Sequence, residues 1–106
     1  MKLCLMTIII PASLEEIFVD WFMEQENLDG FSSSILYGHG TSEQNMSMSE
    51  RVTGRSKKIM FQIHLSRSVA EIILAKLKND FKGSQIHYML APLLDAGRLE
   101  NYQIDD

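Results

Sequence analysis

Cysteine is nearly absent from this chain: Cys4 is the single example among 106 residues. One cysteine excludes an intrachain disulfide, and it excludes the cysteine pair with which small metallochaperones bind their metal. A reducing compartment fits this composition, and we expect a cytoplasmic protein in which Cys4 is buried and inert.

Long apolar runs are also absent. The longest, residues 3–10, is far short of the roughly 20 residues that span a bilayer, so no membrane insertion is expected. It follows Lys2 and superficially resembles a signal peptide, but no small-residue cleavage pattern follows it and it is rich in β-branched residues. We interpret it as a buried central strand.

An excess of positive charge is missing as well. The formal net charge is −4, which argues against a nucleic-acid or anionic-membrane binder because phosphate attraction needs a positive surface. No serine, cysteine or histidine lies in a recognisable catalytic arrangement; Ser47 and Ser49 have no histidine–acid partner in a defined context. No catalytic residue is predicted, and we expect a protein that is not an enzyme.

Hydrophobic periodicity predicts the order β-α-β, loop, β-α-β. Each helix is predicted to begin with a Ser-x-x-Glu capping box, at Ser13 and at Ser68. The predicted strands are residues 3–10, 31–37, 58–65 and 85–90. With right-handed crossovers, this order indicates an α+β, ferredoxin-like βαββαβ sandwich. Its four-stranded sheet would carry two helices on one face and a long β2–β3 loop, and residues 1–106 would form a single domain.

One face of this sheet would lack a helical cover. The alternation of strand 58–65 directs its odd-numbered residues to the helices and the even-numbered ones away. The first strand contributes to the open face either Cys4, Met6, Ile8 and Ile10 or Leu3, Leu5, Thr7 and Ile9. Both sets are too apolar for open water, so we expect subunit contact there. The predicted interface residues are Met6, Ile8, Met60, Gln62 and His64. Coverage by the C-terminal segment is the alternative.

The polar loop, residues 38–58, offers a candidate anion site in its second half. Several cations around a glycine can hold a phosphate or carboxylate with side-chain and backbone N–H groups. The candidate residues are Arg51, Gly54, Arg55, Lys57 and Lys58, with Arg55 preferred. The alternative is a solvated loop whose charges guard an apolar strand against aggregation.

The same loop contains His39, Met46 and Met48, which could bind copper or a similar metal. The Met-x-Met spacing is unusual in a polar loop because methionine normally prefers a core. No cysteine pair or spaced histidine pair supports a metal site, so methionines that dock on a partner are the alternative. His64 and His87 are predicted to be structural.

Several segments together resemble a known family. They are LCLMTIIIP at the start, LEEIFVDWF in the first helix, the pair Gly30-Phe31, the Gly-His-Gly of residues 38–40, SERVTGR at the loop end and IHYMLAPLLDAGRL at the close. In this order and spacing they resemble the small family of PII-like proteins, which is related to the PII nitrogen-regulatory signalling proteins.

The resemblance implies a homotrimer of ferredoxin-like subunits with their sheets turned inward. It also implies that loop 38–58 corresponds to the T-loop, with which PII proteins contact enzymes and transporters, and that adenine nucleotides bind between subunits near its base. This chain departs from PII in two places. Residues 81–85 are shorter than the glycine-rich phosphate loop of PII, and no tyrosine lies between Gly38 and Lys58.

The leading hypothesis is therefore a regulatory PII-like trimer that binds a small ligand near loop 38–58 and docks on a protein partner, a transporter or an enzyme. A metal-binding accessory protein of a heavy-metal efflux system, using His39, Met46 and Met48, is the alternative. A purely structural trimer is a third possibility. The sequence does not identify a cofactor, the ligand or the partner.

Overall fold

Four strands form one antiparallel sheet in a computed structural model that describes residues 2–40, 48 and 55–104. The strands are β1 (Leu3–Pro11), β2 (Ser32–His39), β3 (Arg55–Ser66) and β4 (His87–Pro92), and their order is β2-β3-β1-β4. The helices are α1 (Glu15–Met23) and α2 (Arg67–Asp80). The predicted ferredoxin-like βαββαβ fold is confirmed, with β1 in the interior of the sheet.

The core lies between the helices and one face of the sheet. Helix α1 contributes Phe18 and Phe22, which are fully buried against Phe61 of β3. Helix α2 contributes Ala70, Ile73 and Leu77. Phe31 and Phe81 close the aromatic cluster at its two ends, with ring centres 5.8 Å from Phe61 and 4.2 Å from Phe18 respectively. Helix periodicity places these apolar side chains on the inner faces of the helices.

The two helices begin differently from the prediction. Strand β3 runs directly into α2, so Ser66 is the N-cap and its Oγ accepts a hydrogen bond from the Val69 amide at 3.4 Å. Ser68 lies inside the first turn instead. A short 3₁₀ turn, Ala12–Leu14, precedes α1, whose N-cap Leu14 provides no side-chain acceptor. Both predicted capping boxes are therefore wrong, because the chain enters each helix through the preceding strand or turn rather than through a free loop.

The structure corrects the predicted placement of Met6 and Ile8. Met6 pairs with Ile63 and Ile8 with Phe61, and directly opposed residues of an antiparallel pair lie on the same face. Met6 and Ile8 consequently face the helices and have no exposed surface. They do not belong to the open face. A continuous apolar run has no alternation that would fix its phase, which is why the sequence left both sets available.

The open face is more polar than expected. Met60, Gln62 and His64 do lie there, opposite Ile9, Thr7 and Leu5 of β1. The outer strands add Ser32 and Ser34 from β2, and His87, Met89 and Ala91 from β4. The face thus alternates apolar side chains with polar ones, both on the central strands β1 and β3 and on the β4 margin.

Candidate anion site at the base of the β2–β3 hairpin

Strands β2 and β3 continue as a two-stranded ribbon beyond the point where β1 pairs with β3. The β1 register ends at the pair Pro11–Lys58. Past it, Tyr37 pairs with Lys57, Gly38 with Ser56 and His39 with Arg55. We call residues 37–39 and 55–57 the hairpin base. Because β3 starts at Arg55 instead of at the predicted position 58, residues expected in a loop lie on a defined ribbon.

One contact of the hairpin base joins an arginine to an aromatic ring. The guanidinium carbon of Arg55 lies 4.3 Å from the centre of the Tyr37 ring, a cation–π distance. Stacking on a ring limits the rotation of a guanidinium and orients its N–H groups around the ring edge. The planar fork of arginine matches carboxylate and phosphate geometry, which makes Arg55 the candidate anion-binding side chain of the hairpin base.

The charged residues of the two hairpin strands are of one sign. Strands β2 and β3 contain Arg55, Lys57 and Lys58 and no aspartate or glutamate. By strand alternation, Tyr37, His39, Arg55 and Lys57 share one side of the ribbon. In a chain of net charge −4, this concentrates positive potential at one end of the sheet, where an anion would be attracted.

The structure divides the predicted anion-site residues. Arg55 and Lys57 lie together on one side, and Lys58 lies on the other. Arg51 and Gly54 fall outside the described residues.

Gly38 lies on the same side as Ser56, its partner across the ribbon. A Cβ placed on Gly38 would sit 3.4 Å from the Ser56 Oγ and 3.5 Å from Lys58 carbons. The small residue thus lets the neighbouring strand's side chains pack closely across the ribbon, and Ser56 is buried there.

Of the candidate metal residues, His39 and Met48 lie within the described part of the chain. His39 pairs with Arg55, whose positive charge disfavours a cation beside it, and Met48 is exposed. Met46 lies outside the described residues. Within the part of the chain that is described, no group of three or more His, Cys, Asp or Glu side chains could hold a metal ion. The metal alternative therefore gains no support.

Sequence reasoning missed Tyr37 as a member of the site. Tyr37 and Arg55 are separated by a long connection, and only the hairpin register brings them together. The one available signal was the two-residue spacing of Tyr37 and His39, which places both side chains on one side of a strand.

Comparisons with known proteins agree with this architecture. Among curated proteins, none matches the sequence. A structure of a DUF3240 family protein from Shewanella baltica OS155 superposes with a TM-score of 0.75 at 21% identity, covering 93% of this chain and 98% of the other.

No helix of the described residues is long and apolar enough to cross a membrane.

Two PII-like structures share the fold. One is CPII, a nitrogen regulatory PII-like protein from Thiomonas intermedia K12 bound to ADP, AMP and bicarbonate, with a TM-score of 0.68, 16% identity and coverage of 92% and 96%. The other is described as a candidate PII-like signalling protein from Thermus thermophilus, with a TM-score of 0.63, 19% identity and 87% coverage of each chain. The resemblance to PII-like proteins is confirmed. Residues 1–100 match the family described as "Protein of unknown function (DUF3240)", and the chain belongs to that family.

Proposed function

We propose that this chain is a non-catalytic, cytoplasmic regulatory protein that binds a small anion at the hairpin base. Ligand binding would reshape the part of loop 38–58 that lies beyond the hairpin base, and this part then docks on a protein partner such as a transporter or an enzyme. The fold shared with PII-like proteins supports the regulatory part of this proposal. The hairpin base supports the choice of ligand.

The observation that carries the proposal is the stacking of Arg55 on Tyr37 at a ribbon without acidic residues. An exposed arginine loses rotamer freedom when it binds a ligand, and a side chain that is already held loses less. Lys57 and His39 on the same side add donors to the anion. The connection that would respond to the ligand begins directly beyond this ribbon.

Three anions suggest themselves as ligands. CPII was solved with ADP, AMP and bicarbonate, and each of these presents carboxylate-like or phosphate oxygens that an arginine fork accepts. Tyr37 has half of its surface exposed and adds an aromatic face on which an adenine ring could stack. The nucleotides could contact both the arginine and the aromatic ring, whereas bicarbonate could contact only the arginine.

We also propose that three copies assemble through the open face of the sheet. Met60, Gln62 and His64 remain the interface residues on β3, and Leu5 and Ile9 replace Met6 and Ile8 on β1. Leu5, Ile9, Met60 and Met89 are apolar side chains on a face that no helix covers, and this supports subunit contact. Light scattering should give three times the 12.1 kDa mass of one chain.

The binding test compares two arginines. Isothermal titration calorimetry with AMP, ADP and bicarbonate should show binding by the unaltered protein, and Arg55→Ala should weaken it about 10-fold or more, because a charged hydrogen bond contributes about 1.5–3 kcal/mol. Arg67→Ala is the matched control. Arg67 forms an exposed ion pair with Glu71 on α2, so this variant should bind as the unaltered protein does. Equal affinities for all three proteins would refute the hairpin base as the site.

A further inference from the structure

A second concave surface lies between α2 and β4, at the opposite edge of the sheet from β2. We call it the α2–β4 cleft. Its volume is about 590 Å³, and its floor is apolar. The floor residues are Ile8, Leu74, Leu77, Phe81, Ile86 and Tyr88. A cleft of this size with an apolar floor suits one or two large apolar side chains.

The margin of the cleft is positively charged. Lys78 and Lys82 line it, together with the turn of Gly83, Ser84 and Gln85. None of the described residues that line the cleft is acidic. A complementary partner would therefore be apolar with negative charge at its edges.

The segment that follows β4, residues 93–104, has that composition. Four of its five large apolar side chains are exposed to water: Leu94 fully, Leu99 to 87%, Ile104 to 80% and Tyr102 to 62%. None of these four packs against the described core. Four such side chains in one short segment form an unusual apolar surface, which marks an interaction site.

The charge and shape of this segment are also suitable. It contains Asp95 and Glu100 against one cation, Arg98, which pairs with Glu100 at 2.9 Å, and Asp105 and Asp106 follow in the sequence. A 3₁₀ turn, Leu99–Asn101, is closed by a hydrogen bond from the Asn101 amide to the Arg98 carbonyl. A segment with local structure of its own loses less entropy when it docks.

We infer that residues 93–104 of one copy dock in the α2–β4 cleft of a second copy of this chain. The segment leaves the end of β4 that is opposite the cleft, since Ile86 and Tyr88 line the cleft at the start of the strand and Pro92 ends it. Five residue steps of a strand span roughly 17 Å. To fill its own cleft, the segment would have to reverse its direction along the whole strand.

A contact of this kind is directional, because one copy gives the segment and the next gives the cleft. Such head-to-tail contacts close into a ring when the rotation allows it. A ring of three copies satisfies every cleft and every segment. The inference therefore rests on the trimer of the proposed function and specifies a contact that the open sheet face does not provide.

The test uses two exposed residues, one on each proposed surface. Leu99→Ser removes an apolar side chain from the segment, and Tyr88→Ala removes one from the cleft. Both side chains are exposed in the single copy, so circular dichroism and thermal melting should show an intact fold. Ile17→Ser is the matched control, since Ile17 is an exposed α1 residue outside both surfaces.

Dilution series followed by light scattering and sedimentation give the affinity between copies. Each variant should weaken association about 10-fold or more, as hot-spot residues do. Ile17→Ser should associate normally. Unchanged association of both variants would overturn the docking contact and leave the trimer standing. An unaltered protein that stays single at every concentration would overturn both, while anion binding is measured separately.

Discussion

The hairpin base and the α2–β4 cleft are both positively charged, yet their surroundings predict different occupants. At the hairpin base, Arg55 lies over the ring of Tyr37 along an exposed two-stranded ribbon. In the cleft, Lys78 and Lys82 surround an apolar floor. An oriented arginine on an open ribbon suits a small, polar anion, whereas flexible lysines around an apolar floor suit an acidic segment of polypeptide. The sign of the charge alone does not separate these functions.

The largest expected effect comes from reversing one charge in each region. Arg55→Glu should lower affinity for AMP by about 100-fold or more, because a charged hydrogen bond of about 1.5–3 kcal/mol is replaced by repulsion. Lys82→Glu should leave AMP affinity unchanged and weaken association between copies. Calorimetry measures the AMP affinity of both variants, and light scattering measures their association. If Lys82→Glu lost as much AMP affinity as Arg55→Glu, both residues would belong to one AMP-binding site.

A smaller effect is expected from the aromatic ring beneath Arg55. Tyr37→Leu removes the cation–π contact, which contributes about 0.5–1 kcal/mol at an exposed position, so AMP affinity should fall about two- to fivefold. Tyr37→Phe keeps the ring and should preserve affinity. Tyr88→Leu changes the exposed tyrosine of the cleft and is the control. If Tyr37→Leu and Tyr37→Phe bind AMP equally well, the ring does not orient Arg55.

The order of the elements and the phase of β3 could be predicted from the sequence, because periodicity and turn residues fix them. The phase of β1 could not, since its apolar run carries no alternation and only the pairing of Met6 with Ile63 decides it. Ser66 was overlooked as a cap because it also ends a strand. The contact of Arg55 with Tyr37 depends on hairpin register, and the cleft joins residues from β1, α2 and β4, which no local pattern reports.

The smallest expected effect is a difference in folding stability between two glycine-to-alanine variants, one in each region. Gly83 lines the cleft with a φ of +77°, so Gly83→Ala should destabilise the fold by about 1–2 kcal/mol, the cost of left-handed backbone for an L-residue. At Gly38 an added Cβ would make an ordinary contact with Lys58 and a slightly tight one with Ser56, and Gly38→Ala should cost less than about 1 kcal/mol. Urea unfolding measures both. The reverse ranking would show that packing at the hairpin base is tighter than these distances indicate.

The location of a bound anion tests the central claim most directly. A crystal structure of the protein grown with AMP should show phosphate oxygens about 2.7–2.9 Å from the guanidinium nitrogens of Arg55, the range of charge-assisted hydrogen bonds, with Lys57 beside them. Phosphate density against Lys78 and Lys82 in the cleft, with none at Arg55, would contradict it.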